Sequence, residues 1–90
     1  MNLEIMTDKE INKAVGKFCK KFRVNYLEIS MTDFASKTGL SIQNINAFEG
    51  GRSSNMKYLF YYHNFADTQE LKDVFINNLF TIQPNRKGDL

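Results

Sequence analysis

Apolar residues recur along the chain at spacings of three and four, and strict alternation is scarce. That period belongs to helices with one buried face. Ile11, Val15, Phe18 and Phe22 form the first such stripe, with Cys19 beside them and Lys13, Lys17, Lys20 and Lys21 on the other side. Thr7 and Glu10 stand in capping-box spacing just ahead of it, so the first helix is predicted to start near Thr7. Arg23–Ser30 breaks the pattern and reads as a connection, or as one further turn of the first helix. A second helix is predicted over Met31–Thr38, capped by Ser30 or Thr32 and ended by Gly39. A third runs from Ile42 to about Phe48, capped by Ser41 and ended by Gly50 and Gly51. Ser54 or Asn55 opens a fourth, which carries Met56, Leu59, Phe60 and further aromatics to Phe65. Asp67 and Glu70 mark the start of a fifth, whose stripe is Leu71, Val74, Phe75 and Leu79, ending near Phe80. The pattern predicts an all-α fold, a compact bundle of about five helices in a single domain over residues 1–80. Residues 81–90, polar and carrying Pro84 and Gly88, read as a flexible tail.

Composition narrows the function classes. Ninety residues allow one modest core and little room for a deep cleft. Twelve basic against ten acidic residues leave a net charge of +2, too small to attract nucleic acid or membrane by itself. The lone cysteine, Cys19, excludes an intrachain disulfide and a cysteine-rich zinc site, and suits a reducing compartment. No apolar run approaches the ~20 residues of a membrane span, and the start of the chain lacks the basic and apolar blocks of a secretory signal. On these features a cytoplasmic protein with no membrane association is expected. One histidine, one cysteine, no glycine-rich phosphate loop and no metal-spaced cluster leave little for catalysis. No enzyme activity, cofactor or metal is expected. Asp33 with Glu49 and Asp67 with Glu70 read as caps and surface charge, and His63 as a packed residue.

The stretch Met31–Arg52 carries the most information: MTDFASKTGLSIQNINAFEGGR. A short helix ends at a glycine, a tight turn follows, and a second short helix opens at a serine. Ala35 is small where two backbones pass closely. Gly39 tolerates the positive φ of the turn. Phe34, Leu40, Ile45 and Phe48 stand where they lock the two helices together. This is the pattern of a helix-turn-helix.

On these residues the chain resembles the Xre/Cro family of helix-turn-helix proteins, the lambda-repressor-like DNA-binding domains. Ala35, Gly39 and Ile45 match the family's fifth, ninth and fifteenth motif places. Gly39-Leu40-Ser41 matches its turn. Glu49-Gly50-Gly51, followed by Arg52, matches the stretch after its recognition helix. The resemblance covers roughly residues 8–80. Met31 stands where the family often has a phosphate-holding glutamine, the family's proline after the turn is missing, and aromatics with His63 replace its usual fourth-helix pattern.

The resemblance implies a sequence-specific transcription regulator, most often a repressor of phage or mobile-element type. It would work near the nucleoid of a bacterial host, as a homodimer on an inverted repeat in double-stranded DNA. The third helix would enter the major groove, where each base pair shows a distinct set of donors and acceptors. Ser41, Ile42, Gln43, Asn46 and Ala47 are then the base-reading candidates. The amides of Gln43 and Asn46 suit adenine, and Ile42 and Ala47 suit thymine methyls, so A·T-containing sites are expected. Lys37, Asn44, Gly50, Gly51, Arg52, Ser53, Ser54 and Lys57 are the phosphate candidates. Charge divides along the chain. Residues 8–23 hold six basic and two acidic residues, and residues 58–83 one basic and three acidic. The basic part would face DNA, and the fifth helix, through Leu71, Val74, Phe75 and Leu79, would face a second subunit. Two other readings keep the same fold: a protein-interaction module such as an antirepressor, acting on a protein partner, and a DNA-architectural or recombination accessory factor. Glu49 is expected to be structural, paired with Arg23 or capping the motif, and Cys19 to be core.

Overall fold

A computed structural model describes residues 7–82. Its elements, in chain order, are α1 (Asp8–Phe22), a π-helical turn (Arg23–Leu27), α2 (Met31–Thr38), α3 (Ile42–Glu49), α4 (Tyr58–Phe65) and α5 (Gln69–Leu79). The protein is an all-α bundle. None of its described helices is long and apolar enough to cross a membrane. Beyond Ile82 the expected tail lies outside the described residues.

The local signals that set α1, α2 and α3 act as expected. The Glu10 amide donates to Thr7 Oγ1 at 3.1 Å, and the Thr7 amide donates to Glu10 Oε1 at 2.9 Å, closing the capping box. Ser30 Oγ accepts from the Asp33 amide at 3.0 Å, and Ser41 Oγ from the Asn44 amide at 3.1 Å. Each such cap satisfies a donor that the helix itself leaves free and contributes about 1 kcal/mol. Gly39 ends α2 with φ at 82°, a conformation that costs other residues roughly 1–2 kcal/mol. Thr38 tightens the same turn, its hydroxyl donating to Phe34 O at 2.7 Å while accepting from the Leu40 amide at 3.3 Å.

Two boundaries differ from the sequence pattern, and the segment after Phe22 takes the second of its two readings, a further turn of the first helix. It widens into the π-turn, which turns Arg23 inward and leaves Val24 and Tyr26 each 50% exposed. Glu28 ends the π-turn in the left-handed region with φ at 53°. The fourth helix begins at Tyr58 rather than at Ser54 or Asn55. The preceding residues form tighter turns, with the Tyr58 amide on Asn55 O at 3.2 Å and the Leu59 amide on Met56 O at 3.0 Å, and no side chain caps the helix. The fifth helix is capped by Thr68, not Asp67: Thr68 Oγ1 accepts from the Leu71 amide at 3.1 Å.

The core is built mainly of aromatics. Phe22, Phe34, Phe48, Tyr62 and Phe75 are essentially sealed from solvent, with Ile45 and Cys19 among them. The ring of Phe22 meets the ring of Phe75 edge-on at 4.8 Å, tying α1 to α5. Phe34 lies 4.7 Å from Tyr62, and Phe48 5.3 Å from Tyr58, tying α2 and α3 to α4. Lys72 of α5 donates its amine to the carbonyls of His63 and Ala66, closing the C-terminal end of α4. The aromatic run of α4 divides: Tyr58 and Tyr62 point inward, and Phe60 stands 69% exposed.

Candidate nucleic-acid interface

The helix α3 is eight residues long and is held by one side only. Ile45, Phe48 and Glu49 are buried. Ser41, Ile42, Gln43, Asn44 and Asn46 are exposed, and Ala47 is half-buried at the edge of that face. The side of α3 turned to solvent thus presents two asparagines, a glutamine and an isoleucine, with no charge. A polar uncharged surface of this kind hydrogen-bonds in either sense, since each amide carries both donors and an acceptor.

The C-terminal end of α3 is fixed by a buried network. Arg23 Nε donates to Glu49 Oε2 at 2.8 Å, and Arg23 Nη2 to Glu49 Oε1 at 3.0 Å. The Tyr62 hydroxyl donates to Glu49 Oε2 at 2.7 Å, and Arg23 Nη1 to Ile29 O at 2.8 Å. The paired fork-to-carboxylate geometry is the strongest that these side chains make. Among the described residues no buried side-chain polar atom lacks a partner. The hydrogen bond to Glu49 holds the Arg23 guanidinium even more firmly protonated than usual. Burial, with the nearby Glu49 charge and hydrogen bond, pushes the Tyr62 hydroxyl far above the ordinary tyrosine range. Burial likewise drives the Cys19 thiol far up, which removes the thiolate that reactive cysteines need.

The network also shapes the electrostatics. Between Asp33 and Asp67 the sole acidic residue is Glu49, against Lys37, Arg52 and Lys57. Glu49 is 6% exposed and neutralised by Arg23. No carboxylate from residues 34–66 therefore reaches the surface, whereas Lys37, Arg52 and Lys57 are all exposed.

Close packing positions α1 across the end of α3. A Cβ on Gly16 would collide with the carbonyl oxygens of Phe48 and Glu49, so only glycine permits this approach. A Cβ on Gly51 would lie 2.8 Å from Lys13 Cα. Gly51 has φ at 78° as well, so two independent reasons call for glycine there.

Of the expected phosphate contacts, two are corrected. The amides of Gly50 and Gly51 follow the C-terminal end of α3, not a helix start, and both are already used. Gly50 N donates to Asn46 O at 2.9 Å and Gly51 N to Phe48 O at 3.1 Å. The neighbouring Arg52 amide donates to Ala47 O at 2.8 Å. This end of α3 carries the negative pole of the helix dipole, and Arg52 Nη1 packs against Gly50 there. Asn44 and Ser54 are exposed, and Ser53 is half-buried with its Oγ accepting from the Asn55 amide at 3.2 Å. The proposed subunit face is corrected at one residue: Phe75 is 1% exposed and belongs to the monomer core. Leu71, Val74 and Leu79 are half-buried against that core, and the large apolar residues that α5 and its end turn outward are Ile76 and Phe80, at 40% and 80%.

Two contributors were missed from the sequence. Gly16 interrupts an apolar helical stripe, a signal of close approach because glycine there costs about 1 kcal/mol. The Tyr62 hydroxyl joining Glu49 has no local signal, since it depends on which of the five Phe and Tyr side chains of α4 turn inward. The chain matches no family model, no curated protein and no solved structure. The class defined by fold and geometry is a small all-α bundle with one short, uncharged helix face held clear of its scaffold.

Proposed function

We propose that the protein is a sequence-specific DNA-binding transcription regulator of Xre/Cro type, in which α2, the turn at Gly39–Ser41 and α3 form the helix-turn-helix. The observation that carries the reading is the solvent face of α3: Gln43, Asn44 and Asn46 exposed together, on a stretch of chain whose single acid is internalised by Arg23. DNA is a polyanion, and an unneutralised carboxylate beside a groove-reading helix would repel it. In this reading Gln43 and Asn46 pair with adenine edges, and Ile42 and Ala47 meet thymine methyls. Ser41 caps α3 and keeps a hydroxyl proton to donate. Lys37, Asn44, Arg52, Ser53, Ser54 and Lys57 hold phosphates through side chains, without the Gly50 and Gly51 amides.

Two copies on an inverted repeat would read two half-sites about one helical turn apart. The exposed Ile76 and Phe80 supply the apolar contact for the second copy. Repression would follow from occupancy of a promoter. Selection of binding sites from random DNA tests the reading. A returned inverted repeat with A·T pairs in each half-site supports it; no enrichment, or G·C pairs throughout, contradicts it.

A further inference from the structure

The first helix carries a charged surface that the reading of α3 leaves unused. Lys9, Lys13, Lys17 and Lys20 are all exposed. On a helix, residues three, four and seven apart share one side. Lys9, Lys13 and Lys20 are seven before, three before and four after Gly16, and Lys17 adjoins them. Gly16 is the point where α1 touches the Phe48 and Glu49 carbonyls of α3. The opposite flank of α1, with Phe18 and Phe22, packs on Phe75 of α5. The lysines therefore border the α3 side of α1, and Lys13 stands beside Gly51 and the exposed Arg52. Glu10, at the start of this helix, has Oε1 turned back to the Thr7 amide. Among the described residues the ion pair is that of Arg23 with Glu49, so none of these lysines is spent on a carboxylate there.

We propose that Lys9, Lys13, Lys17 and Lys20 form a phosphate track that holds the DNA backbone where it leaves α3. This rests on the proposed DNA-binding function for its ligand and adds the partner surface. The exposed amides lie towards the N-terminal part of α3, so its C-terminal end meets the rim of the groove. There α1 crosses, and there the phosphates run. From Lys9 to Lys20 the track spans about 16 Å, an axial length over which one DNA strand carries about five phosphates. Continuity with Arg52 and with the acid-free surface of α3 favours DNA over an acidic protein as the occupant.

The test measures binding of the full chain to a random-sequence duplex as a function of salt, for wild type, K9Q/K13Q/K17Q/K20Q and the charge-keeping K9R/K13R/K17R/K20R, with circular dichroism confirming each fold. Each phosphate contact contributes about 0.9 to the slope of log K against log salt. The glutamine variant is expected to lose about 2 to 4 units of slope and the arginine variant to keep wild-type behaviour. A glutamine slope within about 0.5 of wild type overturns the track. So does loss of binding to poly-glutamate with the DNA slope unchanged, which assigns the lysines to an acidic protein. A falling slope with no site preference in any variant upholds the track and overturns only the reading of α3.

Discussion

Arg23 and Glu49 form a buried two-point ion pair, 26 residues apart in sequence, that joins the end of α1 to the end of α3. It fixes the angle of α3 and conceals the single carboxylate of that region. Breaking such a pair strands a charge in the core and costs about 3–5 kcal/mol. Glu49→Gln and Arg23→Met are each expected to fall in that range by urea denaturation. The double variant R23M/E49Q should lose much less than the sum, because no charge is left alone. Additive losses would show that the pair is not the unit.

Gly16→Ala gives a test of sign. In an open helix alanine is better than glycine by about 1 kcal/mol. Here the added methyl meets two carbonyl oxygens of α3. Overpacking of this kind costs roughly 1–3 kcal/mol, so the melting temperature is expected to fall. A rise would mean that α1 and α3 are not in close contact.

Stability should decline on the alkaline side. Cys19 and Tyr62 have ordinary values of 9.0 and 10.0, and the fold raises both. A raised value means that the folded state keeps a proton which the unfolded state releases. Their contribution is complete below the ordinary values and is lost as pH rises through them towards the folded ones. Each group adds a slope of about 1.4 kcal/mol per pH unit in that window. Tyr62→Phe is less stable at neutral pH and is expected to show a shallower alkaline decline. An unchanged slope from pH 9 to 11 in the variant, read by urea midpoints, would contradict the buried hydroxyl.

The two outward apolar residues at α5 are expected to control self-association. I76E/F80E should sediment as a folded monomer under conditions where wild type is a dimer. Phe75→Ala should instead unfold the chain, at a cost of about 3–5 kcal/mol, because Phe75 packs inside. A wild type that stays monomeric at high concentration, with and without DNA, excludes this face.

The parts of this fold legible in the sequence are those set by neighbours within one helical turn. Thr7, Ser30, Ser41 and Gly39 announce their boundaries because a cap or a left-handed turn is a local event. The sequence pattern starts α4 too early because Ser54 and Asn55 are good caps by type, yet Ser53 takes the Asn55 amide and the chain tightens until Tyr58. The cap of α5 shifted by one residue because Asp67 and Thr68 are both competent and packing selects between them. Which amides face solvent on α3 followed from the period set by Ile45 and Phe48. That Gly50 and Gly51 have no free amide did not follow, since it depends on how α3 ends. Phe75 and Leu79 look alike in a stripe, and tertiary packing alone decides that Phe75 is core.

The central claim is that the uncharged face of α3 reads bases. Competition mobility shifts compare a selected site with random duplex for wild type and for Q43A/N46A. Each two-point amide–adenine pair is worth about 1–3 kcal/mol of discrimination. The double variant is expected to stay folded, to keep its random-duplex affinity and to lose at least about fivefold in site preference for each amide removed. Retention of the full site preference by the folded double variant would contradict the claim.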